Sequence, residues 1–329
     1  MEEKIEKELK WAVLGTGVIA NEMAQALEKM GKKLYAVANR THGKAVEFAK
    51  KYGVQKVYDK IEDMFTDKET DIIYITTPHN THIKFMIEAL KNGKHVLCEK
   101  SITLNSGELE EAIKIAKEKN LILGEAMTIF NMPLYTELSE IVNSGKLGDV
   151  RMIQVNFGSY KEYDMNNRFF NRNLAGGALL DIGVYAISIT RLFMTSKPDN
   201  VLSQVKYAPT GVDEQVGIIM MNKEQQMSTI ALTLHSKQPK RVVIACEKAY
   251  IEITEYPRAD KAKIVYTETG EVEEITAGMT SNALQYELQN MEESVKTGIN
   301  KMKLEYTIDV MDIMTKLRKE WGMTYPEEE

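Results

Sequence analysis

Two groups of residues in this sequence have types and spacings that suit chemistry on a bound small molecule. In the first group, residues 11–20, four apolar residues are followed by the pattern Gly-x-Gly-x-x-Ala. Between an apolar strand and a helix, this pattern is typical of a dinucleotide-binding turn. The first glycine makes the turn, the second lets backbone N–H groups approach a pyrophosphate, and the helix N-terminus favours an anion. We expect the cofactor to contact Gly15, Thr16, Gly17, Val18 and Ile19.

The second group is the pair Asp181 and Tyr185. Their spacing of four residues places both side chains on one face of a predicted helix. A carboxylate can orient a substrate hydroxyl, and a phenol can carry its proton if a neighbouring cation lowers the phenol's pKa. A buried tyrosine and a helical aspartate without chemistry would show the same spacing. Gly183 lies between them at a cost of about 1 kcal/mol in a helix interior, so we expect another backbone or a ligand to approach it closely.

The elements that position the first group alternate between apolar strands and helices. After the strand at 11–14, apolar runs predict further strands at 34–38, 71–76, 95–98 and 121–127. Helical spacing lies between them at 21–31, 44–52, 61–65, 82–93 and 105–119. We expect these strands to form a doubly wound parallel sheet.

The second strand ends in Asn39, Arg40 and Thr41, and all three are expected to contact the cofactor. A site that prefers NAD usually places an acidic residue here to accept from the ribose hydroxyls. This chain has none. Arg40 can instead pair with a 2′-phosphate and lay its guanidinium over adenine, with Lys44 adding charge. The segment therefore predicts NADP, with NAD possible; an ordinary solvated arginine is the alternative.

The loop at 76–82 follows the next buried strand. Ligands of open α/β sheets bind at the carboxyl ends of such strands. We therefore expect His79 and His82 to act in the cofactor loop or as helix caps rather than as bases. The residues expected at the cofactor are Thr76, Thr77, Pro78, His79, Asn80 and His82.

The second half has a different pattern. Several alternating segments predict an antiparallel sheet with one covered face, and they lie at 152–157, 201–207, 216–221, 227–234, 242–245, 250–254 and 262–266. Helices are expected at 132–143, 281–296 and 307–321. The polar and aromatic loop 160–173, which contains Arg168, is expected to be a site wall, and the tail 326–329 is expected to fray.

Length and composition limit the classes of protein to which this chain can belong. The length of 329 residues predicts two domains, 1–127 and 128–329. A net charge of −6 with dispersed basic residues indicates no nucleic-acid surface, and we expect no membrane span and no signal peptide in residues 1–10. The two cysteines, Cys98 and Cys246, form no metal-spacing motif, so we expect no metal and a cytoplasmic protein with reduced thiols.

As an ordered set, the motifs resemble the Gfo/Idh/MocA oxidoreductases. The similar segments are 15–20, 76–82, 99–100, 124–127 and 176–185. Residues 174–185 look most like the branch that contains dimeric trans-1,2-dihydrodiol dehydrogenase and NADP-dependent D-xylose dehydrogenase.

The resemblance implies a fold for each half. Residues 1–127 would form an NADP-binding Rossmann domain. Residues 128–329 would form an α/β domain with a large, mostly antiparallel open-faced sheet that covers the nicotinamide. The other face of that sheet commonly makes a dimer in this family, so we expect a homodimer or tetramer.

The resemblance also implies roles for residues. Glu99 and Lys100 would lie at the nicotinamide, and Arg168 would bind cofactor or substrate hydroxyls, a surface ion pair being the alternative for Arg168. Lys100, Asp181 and Tyr185 would be catalytic, with Tyr185 as acid or base and Lys100 favouring its phenolate. Lys100 as the proton carrier remains an alternative.

The chain departs from the family pattern at Ser101, where the family's motif has proline. A cis bond before serine costs about 3–4 kcal/mol, so we expect a trans bond between Lys100 and Ser101.

The function implied is hydride transfer between a nicotinamide cofactor and a carbinol or carbonyl carbon of a sugar, polyol or dihydrodiol. A non-catalytic NADP sensor of the same fold is the alternative, and Ser101 is the one feature that favours it. A reductase of the biliverdin reductase type, with an aromatic substrate, agrees less well with the polar site residues.

Overall fold

The computed structural model describes residues 8–329, so most of the segment 1–10, where no signal peptide is predicted, lies outside the described residues. The described chain contains two sheets, one of six strands and one of eight. The sheets come from successive halves of the sequence, and helices from the end of the chain pack against both halves.

The first sheet is parallel throughout, with the order β3-β2-β1-β4-β5-β6. Its strands are β1 (Trp11–Leu14), β2 (Ala36–Ala38), β3 (Lys56–Val57), β4 (Ile72–Ile75), β5 (His95–Glu99) and β6 (Leu123–Ala126). The predicted doubly wound sheet is confirmed. The sequence located every strand except β3, which is two residues long and contains no apolar run.

The order of strands places the switch point between β1 and β4, where ligands bind in open α/β sheets. The helices of this half are α1 (Val18–Lys29), α2 (His42–Tyr52), α3 (Ile61–Thr66), α4 (His82–Lys91) and α5 (Ser106–Glu118). Helix α1 starts at Val18, three residues before its predicted start, because the turn after β1 leads directly into it. Its N-terminus therefore faces the switch point.

The second sheet has the order β14-β13-β12-β11-β7-β10-β9-β8, and every neighbouring pair is antiparallel except β7 with β10. Its strands are β7 (Val150–Gly158), β8 (Asn200–Tyr207), β9 (Asp213–Met221), β10 (Met227–Thr233), β11 (Gln238–Cys246), β12 (Ala249–Thr254), β13 (Lys261–Tyr266) and β14 (Val272–Thr276). The mostly antiparallel sheet is confirmed, and β14 is an addition to the predicted strands.

The remaining helices are α6 (Thr128–Asn131), α7 (Pro133–Asn143), α8 (Val184–Phe193), α9 (Ala283–Thr297) and α10 (Leu304–Glu320). Helix α9 packs on α1, and α10 packs on both α5 and α8. Trp11 of β1 donates a hydrogen bond from its indole nitrogen to Glu292 of α9, at 3.0 Å. A division of the chain after residue 127 stays a prediction, because the last helices return to the first half.

A π-helical turn, Leu179–Gly183, precedes α8. A Cβ atom at Gly183 would lie 2.9 Å from Cδ1 of Leu232 on β10. The close approach at this glycine is therefore made by a side chain of the sheet.

The stretch Arg172–Phe193 is long and apolar enough by composition to cross a membrane, although no membrane span is expected from the sequence. Within the fold, 83% of its apolar window is buried. Its apolar character is explained by the packing of α8 against β7, β10 and α10.

The C-terminal tail is ordered against the rest of the fold, so the prediction that it frays is wrong. Tyr325 is fully buried, and its hydroxyl donates to the Gly176 carbonyl at 2.7 Å. Glu328 accepts two hydrogen bonds of 2.7 Å from the guanidinium of Arg318, which is itself only 3% exposed. The buried arginine that binds the tail comes from α10.

Candidate active site

The turn after β1 has the geometry of a dinucleotide cradle. Gly15 has a φ of +113°, and a Cβ atom there would collide with the side chain of Thr76. At Gly17, by contrast, a Cβ atom would meet nothing within 4 Å, so this backbone borders open space. Ala20 is fully buried where α1 packs on the sheet. The open backbone and the free N–H groups of the first helical turn fit a pyrophosphate.

The segment at the end of β2 lies beside this cradle. Asn39 donates a hydrogen bond to the hydroxyl of Thr16 at 3.2 Å. Arg40 and Thr41 are exposed. The structure therefore leaves the Arg40 side chain free to meet a phosphate at the ribose end of a dinucleotide.

The loop after β4 faces the cradle from the other side of the switch point. Thr76 donates its hydroxyl to the Leu14 carbonyl at 3.0 Å, which ties the loop to β1. His79 contacts the cavity, and burial lowers the pKa of its imidazole to about 3. Burial also lowers the pKa of the fully enclosed His82. Asn80 lies outside the cavity and donates to Asn173 and to Glu327 of the tail.

The peptide bond between Lys100 and Ser101 is cis, so the prediction of a trans bond is wrong. That prediction was based only on the local preference for a trans bond before serine. In the fold, tertiary contacts hold both residues. His79 donates from Nε2 to the Lys100 carbonyl at 3.0 Å, and Nδ1 of His82 lies 3.0 Å from the Ser101 carbonyl. The Ser101 hydroxyl donates to the Leu180 carbonyl at 2.9 Å.

Lys100 meets Asp181 and Tyr185 across the boundary between the halves. Its Nζ donates to the carbonyl of Asp181 at 2.7 Å and to Oδ1 of the same residue at 3.3 Å. The same nitrogen lies 4.9 Å from the centroid of the Tyr185 ring. Glu99, next to Lys100, accepts a hydrogen bond from the Tyr74 hydroxyl. The predicted convergence of lysine, aspartate and tyrosine is therefore present in the structure.

The charges of this group follow from burial and from mutual contact. Burial raises the pKa of Tyr185, and the opposing effect of Lys100 does not outweigh it. Burial lowers the pKa of Lys100, but Tyr185 and Asp181 more than offset this and leave that pKa above its ordinary value. Although burial raises the pKa of the Asp181 carboxyl, Lys100 and Arg168 hold it below its ordinary value. At neutral pH the group is an ammonium, a carboxylate and a neutral phenol.

The elements that carry Asp181 and Tyr185 are held by a residue that sequence reasoning missed. Asp213, at the start of β9, is fully buried and accepts a hydrogen bond of 2.6 Å from the Leu179 backbone N–H. A Cβ atom at Gly177 would collide with this carboxylate. No local pattern marks Asp213 in the sequence, since its partner lies 34 residues earlier.

A cavity of about 440 Å³ joins these parts. Its walls come from the first turn, the 76–79 loop, the end of β5, the loop at 168–177 and the helix that follows. The predicted site residues that line it are Gly17, Val18, Ile19, Thr76, Thr77, Pro78, His79, Glu99, Lys100, Arg168, Asp181 and Tyr185. Those that do not are Gly15, Thr16, Asn39, Arg40, Thr41, Asn80 and His82.

Models of two protein domains match the chain. One, described as an oxidoreductase family with an NAD-binding Rossmann fold, matches residues 9–127. The other, the GFO/IDH/MocA C-terminal domain, matches residues 135–252. A trans-1,2-dihydrobenzene-1,2-diol dehydrogenase of Xenopus laevis is 30% identical over 329 residues, covering 96% of this chain and 99% of the relative.

Solved structures share the complete fold. An aldose-aldose oxidoreductase from Caulobacter crescentus superposes with a TM-score of 0.87 at 21% identity, covering 96% of this chain and 98% of the other. A 3-ketoreductase from Actinomadura kijaniata, solved with NADP and TDP-benzene, superposes with a TM-score of 0.86 at 18% identity, covering 95% and 98%. At these identities the likeness establishes the arrangement of the two sheets.

Proposed function

The chain belongs to the Gfo/Idh/MocA oxidoreductase family, and from this premise we propose that it transfers a hydride between NADP and a carbinol or carbonyl carbon of a sugar, polyol or dihydrodiol. It is a nicotinamide-dependent dehydrogenase or reductase. The main support for this cavity as the active site is that Lys100 contacts Asp181 and Tyr185 in its wall.

Each residue of this group has one role in the proposal. The nicotinamide, when bound, accepts or supplies the hydride. Tyr185 gives its proton to the carbonyl oxygen during reduction and takes the alcohol proton during oxidation. Lys100 keeps its charge and stabilises negative charge on the reacting oxygen and on the phenol. Asp181 holds the ammonium in place through its carboxylate and its carbonyl.

The assignment of the proton to Tyr185 rather than to Lys100 rests on their contacts. The Lys100 ammonium already donates to Asp181, and its raised pKa favours a constant charge. The Tyr185 hydroxyl has no hydrogen-bond partner among residues 8–329, and its side chain lines the cavity. That hydroxyl is therefore available to a substrate.

The preference for NADP rests on the segment after β2. Arg40 is exposed beside the cradle, and residues 39–41 include no acid that would repel a 2′-phosphate. A guanidinium binds phosphate oxygens through two parallel hydrogen bonds. The related Actinomadura 3-ketoreductase was solved with NADP, which supports the same choice.

A second copy of the chain is the proposed partner, bound on the open face of the eight-stranded sheet. One continuous row of paired residues crosses that face from β9 to β14 and is apolar throughout, and each residue is exposed or half-buried. The row consists of Met221, Met227, Met152, Ala245, Tyr250, Val265 and Val272. A face of this kind is typical of a protein–protein interface.

A cytoplasmic location is part of the proposal. Cys98 and Cys246 are unpaired thiols, which agrees with a reducing compartment.

The proposal is tested by cofactor binding followed by turnover. NADPH and NADH are titrated against the protein by nicotinamide fluorescence, and aldoses, inositols and dihydrodiols are then screened in both directions. We expect tighter binding of NADPH and turnover of at least one substrate class. Binding of NADPH without turnover of any class would favour a non-catalytic sensor.

A further inference from the structure

Two cations outside the Lys100 group share one aromatic ring at the cavity. Nζ of Lys161 and Cζ of Arg168 each lie 4.2 Å from the centroid of the Phe169 ring. Phe169 and Arg168 line the cavity. The two positive charges are therefore held within about 8 Å of each other, a distance over which physiological salt screens them only in part.

The carboxylates nearby do not balance these cations. Oδ1 of Asp181 lies 3.6 Å from Nη2 of Arg168 and 3.3 Å from Nζ of Lys100, so one carboxylate serves two cations. Glu99 accepts a hydrogen bond from the Tyr74 hydroxyl, and with Asp181 it supplies two carboxyl groups against the three cations Lys100, Arg168 and Lys161. Within residues 8–329 the Lys161 ammonium has neither an ion pair nor a hydrogen bond. The wall formed by Arg168 and Phe169, with Lys161 packed against Phe169 outside the cavity lining, therefore carries an excess of positive charge.

The excess of positive charge disfavours the ammonium form of Lys161, because this side chain is partly buried. Burial lowers the pKa of its ammonium, and Arg168 and Lys100 lower it further, while Asp181 alone opposes them. An anion in contact with both Lys161 and Arg168 would add two attractive pairs to the one repulsive pair. The guanidinium of Arg168 would accept the planar geometry of a carboxylate or phosphate.

We propose that Lys161 and Arg168 form a subsite for an anionic oxygen group, a carboxylate or a phosphate, carried by the substrate. The ring of Phe169 contacts both cations and offers an apolar surface to the carbon chain between the anionic group and the reacting carbon. This inference rests on the proposed function and narrows its substrates to acidic or phosphorylated sugars and polyols.

The phosphates of the cofactor are the other source of such a group. In the proposed function they are accommodated by the 15–19 turn and by Arg40. An experiment must therefore follow cofactor affinity and substrate affinity separately.

Calorimetric titrations, first of the protein with NADPH and then of the NADPH-saturated protein with sugar ligands, are the test. The ligands are a panel of aldoses, the matching uronic acids and the matching 6-phosphates, at constant ionic strength. We expect at least one anionic ligand to bind tenfold or more tightly than its neutral parent. Lys161→Met should reduce that preference at least tenfold, and Lys161→Arg should retain it. The matched control Lys237→Met removes an exposed lysine of the same half and should behave as the wild type.

Three results would overturn the subsite. These are equal binding of neutral and anionic ligands, binding of none of them, and an unchanged preference in Lys161→Met. A loss of NADPH affinity in Lys161→Met equal to the loss for the anionic ligand would assign the group to the cofactor instead. If anionic ligands bind through Lys161 but no substrate is turned over, the subsite stands and the proposed hydride transfer fails.

Discussion

At the scale of single residues, the protonation of Tyr185 sets the direction in which the site works best. Burial raises the pKa of the phenol above its ordinary value of 10, and Lys100 only moderates that rise. The neutral phenol at physiological pH is a proton donor, which is the form that carbonyl reduction requires. Alcohol oxidation requires the phenolate, a minor form at that pH.

The pH profiles in the two directions should therefore differ. We predict that kcat for oxidation rises from pH 7 to pH 9, because the phenolate fraction grows about tenfold per unit below the pKa. The kcat for reduction should stay level over that range, since the phenol remains protonated. Steady-state rates in both directions, with circular dichroism to monitor folding, provide the measurement. An oxidation rate that falls across this interval would exclude Tyr185 as the base.

Arg40 should decide the choice of cofactor. Replacing it with alanine removes the guanidinium proposed to bind the 2′-phosphate, at a cost of about 1.5–3 kcal/mol for a charged hydrogen bond. We expect NADPH affinity to fall about tenfold or more, whereas NADH affinity changes little. Fluorescence titration measures both, with Lys50→Ala, an exposed lysine of α2, as the control. An equal loss for the two cofactors would contradict a 2′-phosphate contact.

At the scale of elements, the C-terminal tail braces the cavity wall. The Tyr325 hydroxyl holds the Gly176 carbonyl, and Gly176 lines the cavity. Glu328 anchors the tail on the buried Arg318. The salt bridge with Arg318 outweighs burial and lowers the pKa of the Glu328 carboxyl.

Two adjacent glutamates offer a matched pair of variants for this anchor. Glu328→Gln leaves a buried guanidinium without its charge partner and should lower the free energy of unfolding by about 2–4 kcal/mol. Glu327→Gln, at an exposed position, should change it by less than about 0.5 kcal/mol. Urea unfolding provides both values. Equal effects of the two substitutions would mean that the tail is not anchored at Glu328.

The pH dependence of that loss has a definite sign. A carboxyl whose folded pKa is lowered contributes stability above its unfolded pKa and loses it as pH falls through the folded pKa. The difference between wild type and Glu328→Gln should therefore be complete at pH 7 and shrink below the ordinary glutamate pKa of 4.5.

Local pattern explains which elements were predictable. Strands such as β1 and β4 are continuous apolar runs, and α5 follows Asn105, whose side chain caps it. Strand β3 has two residues and β14 has only one buried residue, so neither leaves a periodic signal. The ordered tail depends on Arg318, a buried partner that no local pattern connects to it.

The residues of the candidate site also fall into two classes: those that a local pattern predicts and those that depend on contacts between distant segments. The four-residue spacing that places Asp181 and Tyr185 on one helical face is a local property, so the sequence predicts it. The approach of Lys100 came from the family resemblance. The cis bond at Ser101, the support from Asp213 and the position of Lys161 depend on contacts between distant segments, which one sequence does not display.

At the scale of the whole molecule, the open face of the second sheet should form the dimer interface. Tyr250→Glu places a charge in the middle of the apolar row, where it would be buried without a partner in an interface. We expect the mass in solution, measured by light scattering after size exclusion, to shift from dimer towards monomer. Ile299→Glu, at a site 68% exposed and outside the sheet, is the control. A monomeric wild-type protein at all concentrations would contradict the proposal.

The central claim is that Lys100 and Tyr185, brought together from the two halves, move the proton beside a bound nicotinamide. The most direct measurement compares turnover and NADPH affinity in Tyr185→Phe and Lys100→Met. The account predicts that kcat falls by about 10²–10⁴ in each variant, while the Kd for NADPH changes less than threefold. Turnover at the wild-type rate in both variants would contradict it.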